Sequence, residues 1–248
     1  MRKRLNRLGK LKRSIIRRLL SKFVNGSDSY ILQYLPDFVF SEDIDFQAFR
    51  RVWIHGHEKN NDSDLFRMLF IMMNMNQVLA DNVTGDIAEL GVFKGNCAKL
   101  LNQMVPKDRN IFLLDTFEGF SDKDLNNNEP SNSVVGDFSA GLEEVKAFVG
   151  NDSRISYIAG YFPETATKIP ESTRFSFVNL DVDLYSPIKS GLEYFYPRMT
   201  KGGIIAIHDY ANSCWPGVKK AVDEFLADKN EQIIVLPDRS GTATFRKC

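Results

Sequence analysis

The sequence predicts an α/β protein: a doubly wound, mostly parallel seven-stranded sheet, with an antiparallel C-terminal hairpin and an N-terminal helical extension. Three observations carry this prediction. From residue 86 onward, short apolar runs alternate with helix-period segments, which is the signature of βαβ units. Between Gly85 and Phe120, a strand pattern enters a glycine-bearing turn, passes through a helix pattern and returns as a second strand ending on Asp115. Near the C-terminus, two strand patterns (232–237 and 241–247) are separated only by Asp238-Arg239-Ser240, a connection short enough for a hairpin.

Taken in order, residues 1–24 read as a basic amphipathic helix. Ten of the 32 Lys and Arg residues fall in residues 1–27, with no acid among them, and Leu5, Leu8, Leu11, Ile15, Ile16, Leu19 and Leu20 recur at helical spacing. Attachment to an anionic membrane surface is one use of such a helix. A targeting peptide and a solvated or homo-oligomer-packing helix are the others. Residues 25–84 read as a linker and then a helical cap or lid, with FRMLFIMMNMNQVLA (66–80) a strong apolar helix whose Met68, Met72, Met73 and Met75 suit an adaptable core. His55-Gly56-His57 lies before it in a turn-rich segment, where a substrate contact, a metal ligand pair or a plain surface turn are all open.

Residues 85–248 read as the catalytic domain. Strand 86–92 leads to helix 95–104 and strand 110–115, and a polar loop covers 121–133. A helix near 138–149, strand 154–159, a short helix near 163–168, strand 175–183, helix 186–199, strand 203–209 and helix 216–228 precede the final pair.

Composition bounds the class. At 248 residues with 43% hydrophobic and 26% charged residues, the chain can bury one sizeable core. Cys97, Cys214 and Cys248 make no even framework and no CxxC, which points to a reducing, cytoplasmic compartment, peripheral to the inner membrane surface if the basic helix binds there. No apolar run reaches the roughly 18 residues needed to span a bilayer. Beyond residue 27, 22 basic residues remain against 32 acidic ones, and nucleic acid is not an expected partner.

The chemistry is read at the strand ends, where doubly wound sheets bind ligands. The first turn is Glu89-Leu90-Gly91-Val92-Phe93-Lys94-Gly95, an E-x-G-x-x-x-G pattern rather than the G-x-G-x-x-G that seats a pyrophosphate. A carboxylate at Glu89 repels a pyrophosphate and suits a ligand with a positive pole, such as S-adenosylmethionine. Asp115, at the second strand tip, can accept both hydroxyl hydrogens of a ribose. The fourth strand pattern ends on Asp181 and Asp183 and the fifth on His208-Asp209. Aspartates that close apolar strands need partners, and Asp181, Asp209 and His208 can converge on one divalent cation, Mg²⁺ or Mn²⁺. Capping of helices and strand-end amides is the structural alternative.

These motifs resemble class I S-adenosylmethionine-dependent methyltransferases, which have a Rossmann-like sheet, and more narrowly the macrocin and mycinamicin sugar O-methyltransferase family. The resemblance covers about residues 66–246 and rests on GDIAELGVFKG (85–95), LLDTFEGF (113–120), GYFPET (160–165), LDVDLYSP (180–187), YPRMTKGGIIAIHD (196–209) and PGVKKAVDEF (216–225). It implies a cofactor site at Glu89, Gly91, Gly95, Asp115 and Thr116, and magnesium at Asp181 and Asp209 holding the hydroxyls of an acceptor sugar. The family usually carries Asp-Asp-Tyr where this chain has His208-Asp209-Tyr210, so His208 is open as a ligand or as the base, and Asp183 is the other candidate base. The acceptor class implied is a glycosylated natural product, a polysaccharide or a glycolipid. A catechol-type methyltransferase and a catalytically silent binding protein are the alternatives. The catechol type carries a lysine where this chain has Leu184.

Overall fold

The computed structural model describes residues 46–62, 64–125 and 133–248. The basic segment 1–24, the linker that follows it and most of the Asn-rich loop lie outside the described residues. Asp45–Cys248 forms one compact unit, so the helices before the first strand belong to the same body as the sheet.

Helices α1 (Phe46–Ile54), α2 (Glu58–Asn61) and α3 (Leu65–Ala80) lead into the alternating part. There β1 (Asp86–Leu90), α4 (Asn96–Met104), β2 (Ile111–Asp115), α5 (Leu142–Val149), β3 (Ile155–Ala159), β4 (Phe175–Leu180), α6 (Tyr185–Phe195), β5 (Met199–Ile207), α7 (Pro216–Leu226), β6 (Ile234–Val235) and β7 (Ala243–Arg246) follow in order. The seven strands lie in the order β3-β2-β1-β4-β5-β7-β6. The first five are parallel, and β7 runs antiparallel to both β5 and β6. Strand order reverses between β1 and β4, and this switch point is where a ligand crevice is expected.

A parallel sheet covered on both faces demands continuous apolar strands. Every residue of β4, Phe175–Leu180, is buried; four are apolar, with Phe175 and Phe177 fully enclosed, and the polar pair Ser176 and Asn179 is hydrogen-bonded to β1 and the turn before it. On α3, Met68, Met72 and Met75 are completely buried, while Met73 is 50% exposed, so three of the four methionines are core. α7 begins with Pro216 in its first turn, where the missing amide costs nothing.

Element boundaries depart from the sequence pattern where the backbone turns early. The first strand stops at Leu90 rather than 92, because Gly91 takes a left-handed φ of 89°. The fourth stops at Leu180 rather than 183, and Asp183 turns the chain with a φ of 58°. The helix expected over 186–199 ends at Phe195. A 3₁₀ turn, Tyr196–Arg198, carries the chain straight into β5, which begins at Met199 and not at 203. The helix near 138–149 starts only at Leu142, after Phe138 adopts a φ of 61°. The segment expected as strand 232–237 pairs only through Ile234 and Val235.

Candidate active site

At the carboxyl ends of the parallel strands lies a cavity of about 360 Å³. Glu89, Gly91, Asp115, Thr116, Asp181, Asp183, His208 and Asp209 all line it. Gly95 does not. It heads α4 with a φ of 82°, and a Cβ there would come within 2.6 Å of Val149 Cγ2 and 3.1 Å of Val145 Cγ1. Its glycine is required by the close packing of α4 on α5.

Gly91 is required by a different neighbour. A Cβ at this position would sit 1.9 Å from the Asp181 carbonyl oxygen. The Asp181 amide also donates to the Leu90 carbonyl at 2.8 Å. The turn after β1 therefore abuts the main chain at the end of β4.

Glu89 is 1% exposed on β1. Its Oε1 accepts a 3.0 Å bond from Asn179 Nδ2, its register partner on β4, while Oε2 has no hydrogen-bond partner. Burial raises its pKa to about 8. A buried carboxylate oxygen without a donor is costly, and a cationic ligand group would satisfy it.

The Asp115 carboxylate holds the turn together. Oδ2 accepts from the Val92 and Phe93 amides at 2.7 and 2.8 Å, and Oδ1 from the Phe117 amide at 2.8 Å. The Thr116 hydroxyl closes the next turn by donating to Gly119 O at 2.8 Å. The residue expected at a ribose diol is thus also the clasp between the β1 and β2 turns.

Asp181, His208 and Asp209 come together at neighbouring strand ends. His208 Nδ1 lies 2.8 Å from Asp181 Oδ1 and 2.5 Å from Asp209 Oδ2. Arg67, from α3, pairs with Asp181 Oδ2. Burial opposes ionisation of Asp181, but Arg67 and His208 outweigh it and hold the carboxyl well below the usual range. Burial opposes the ionisation of Asp209 as well, and the His208 hydrogen bond overcomes it. For His208, burial and Arg67 favour the neutral ring, yet the two carboxylates raise its pKa to about 10. Asp183 is pushed well above the ordinary carboxyl range by burial and by the charges of Asp181 and Asp209.

One ligand atom from each of Asp181, His208 and Asp209 lies within 4.8 Å of the others. The two ionised carboxylates are the oxygen ligands a divalent cation prefers, but their four oxygens already face Arg67, His208 and Asn212, so a cation would enter by displacing the charge that His208 supplies. His208 Nδ1 faces the carboxylates as a hydrogen-bond donor and so offers no lone pair there. Its Nε2 is buried without a hydrogen-bond partner, 3.9 Å from Asp64 Oδ2.

Other cavity residues escaped the sequence reading. Arg67 is the one charged residue of α3, and that was its signal. Phe93, Phe120, Phe138 and Trp215 form a ring of edge contacts at the cavity wall, with centroids 5.3 to 6.1 Å apart. They come from three connections, those after β1, β2 and β5, so no local pattern announces them. His57 lines the cavity edge-on to Phe93, whereas His55 stacks on Phe148 outside it.

Known proteins share this architecture. The chain is 28% identical over 196 residues to demethyldecarbamoylnovobiocin O-methyltransferase of Streptomyces niveus, covering 71% of each chain. It is 23% identical over 233 residues to mycinamicin III 3''-O-methyltransferase of Micromonospora griseorubida, covering 85% of this chain and 86% of that one. The solved structure of the O-methyltransferase NovP superposes with a TM-score of 0.63 at 25% identity, covering 73% of this chain and 80% of the other. The family described as Macrocin-O-methyltransferase (TylF) matches residues 66–242, which contain every strand of the sheet except β7. With the switch-point cavity and its carboxylates in place, the chain belongs to the macrocin-O-methyltransferase family and is an S-adenosylmethionine-dependent O-methyltransferase.

Proposed function

We propose that this enzyme methylates a sugar hydroxyl of a glycosylated natural product, polysaccharide or glycolipid, with assistance from a divalent metal ion. The observation that carries the reading is the convergence of Asp181, His208 and Asp209 beside the cavity that holds Glu89 and Gly91. The relatives whose names specify novobiocin and mycinamicin substrates support a glycosylated acceptor.

The sulfonium methyl is already activated, so the protein's task is alignment of acceptor oxygen, methyl carbon and sulfur. Glu89 Oε2 would take the cofactor's ammonium, and the Asp115 clasp would hold the turn on which the methionine end rests. The acceptor oxygen bonds to the methyl carbon as the carbon–sulfur bond breaks, the sulfur keeps the electron pair, and the hydroxyl proton passes to a base. Asp181 and Asp209 would hold Mg²⁺ or Mn²⁺, which when bound lowers the pKa of a ligated hydroxyl. Asp183 and His208 are the two candidate bases; both hold a proton in the resting cluster, so the acting one must first release it, which a cation bound at Asp181 and Asp209 would promote by taking over their charge. Asp183→Asn and His208→Asn, compared across pH, separate the two. The wrong candidate leaves the shape of the pH–rate profile unchanged.

The test of the whole reading is titration calorimetry of S-adenosylmethionine, followed by methyl transfer to glycoside acceptors with EDTA or with added Mg²⁺. Absence of cofactor binding would sink it. The proposal also places the enzyme in the cytoplasm, peripheral to the inner membrane surface through residues 1–24, which otherwise serve a homo-oligomer contact. Among the described residues no helix is long and apolar enough to cross a membrane.

A further inference from the structure

Arg67 is a buried cation with unspent hydrogen-bonding capacity. It sits within α3, a helix whose other buried side chains are all apolar. A guanidinium carries five N–H donors in a rigid fork, yet only Nη2 has an acceptor among the described residues, Asp181 Oδ2. Asp181 is also held by His208 Nδ1, so it does not need Arg67 as its sole counter-charge. The guanidinium rests over Trp53, 5.5 Å from the ring centroid, which braces it from behind. It lines the cavity together with Glu89 and lowers the cost of charging that residue, so the two opposite charges share one corner. The corner is fixed in space, because Asp181, to which Arg67 is tied, touches Gly91 main chain to main chain.

We infer that Arg67 binds the carboxylate of the methionine end of the cofactor, opposite the ammonium on Glu89. This rests on the cofactor reading above and assigns to the site a second charged contact. An amino-acid end is a zwitterion. Glu89 with an open oxygen and Arg67 with open donors form its complement, and an Arg fork matches a carboxylate two bonds at a time.

The experiment compares S-adenosylhomocysteine with its decarboxylated analogue by titration calorimetry on the full chain. The wild type is expected to prefer the carboxylate-bearing ligand by roughly 10- to 100-fold, the scale of a charge-assisted bond. Arg67→Met should bind the two ligands equally. Asp181→Asn should keep the preference. Because Arg67→Met leaves Asp181 short of a partner and can unfold, Arg67→Gln combined with Asp181→Asn removes both charges together and should also lose the preference. A folded Arg67 variant that retains the wild-type margin overturns the inference while leaving the methyltransferase reading intact. A wild-type chain that binds neither ligand overturns both.

Discussion

At the scale of single residues, the site is a set of charges whose states differ from their ordinary ones. Burial pushes the Glu89 pKa up to about 8, against the opposing pull of the Cys97 thiol and Asn179. At neutral pH it is therefore largely protonated, and a cationic ligand must draw it into the charged form. Binding then releases a proton, so cofactor affinity should rise from about pH 6 to about pH 8 in calorimetry, and Glu89→Gln should bind more weakly with a flatter profile. His208 is shifted upward, to about 10. Its contribution to stability is full below its unfolded value of about 6.5 and is lost as pH rises through about 10. The melting-temperature gap between wild type and His208→Asn should narrow over that interval, and a constant gap would show that the ring is not held as its cation. Asp115→Ala removes the acceptor of three backbone amides, and should cost about 2–3 kcal/mol in denaturant titration while weakening cofactor binding by loosening the turn. Gly91→Ala should destabilise more than Gly95→Ala. Its Cβ meets rigid main chain, whereas that of Gly95 meets valine methyls that can give. The sequence named Glu89, Gly91, Asp115, Asp181, Asp183, His208 and Asp209 as site residues because each ends a strand or begins the turn after one, and the family resemblance added Thr116. Gly95 looked equivalent in the motif, and only packing against α5 shows that it faces away from the cavity.

At the scale of elements, the apolar runs made β1, β2, β4 and the core helices legible, since strands buried on both faces have one compositional solution. Less legible were elements set by neighbours. β5 begins four residues early because Met199 pairs with Phe175 across a register shift, which periodicity within one segment cannot show. β6 shrinks to two exposed residues because β7, not β6, borders β5. The role of α3 was half visible. Its methionines read as core, but that its arginine reaches a strand tip 114 residues away is a fact of tertiary packing. Met72→Ala, at a fully buried position, should cost about 2–5 kcal/mol in chemical unfolding, and Met73→Ala, half exposed, well under 1 kcal/mol.

At the scale of the whole molecule, the sheet order sets Glu89 and Asp115, on β1 and β2, beside Asp181 and Asp209, at the ends of β4 and β5, and the proposed function assigns the first pair to the cofactor and the second to the acceptor. Exhaustive dialysis against EDTA should abolish turnover and leave cofactor binding nearly intact, with activity restored by Mg²⁺ or Mn²⁺. Undiminished turnover after dialysis would remove the metal from the mechanism. Residues 1–27, with ten positive charges, should carry the full chain onto anionic vesicles at low salt, and a chain beginning at Ser27 should stay in solution. Equal behaviour of the two in sedimentation would overturn membrane attachment and favour an oligomer contact for that segment. The contact between Gly91 and the Asp181 main chain has a wider consequence. The two turns leave neighbouring strands directly, so on the proposed reading the gap that the methyl group must cross is set by the spacing of β1 and β4 and not by the longer loops above them. The aromatic wall of Phe120, Phe138 and Trp215 stands on those loops. Descendants of this chain can therefore trade one acceptor for another by redrawing the wall, and inherit the reaction distance unchanged.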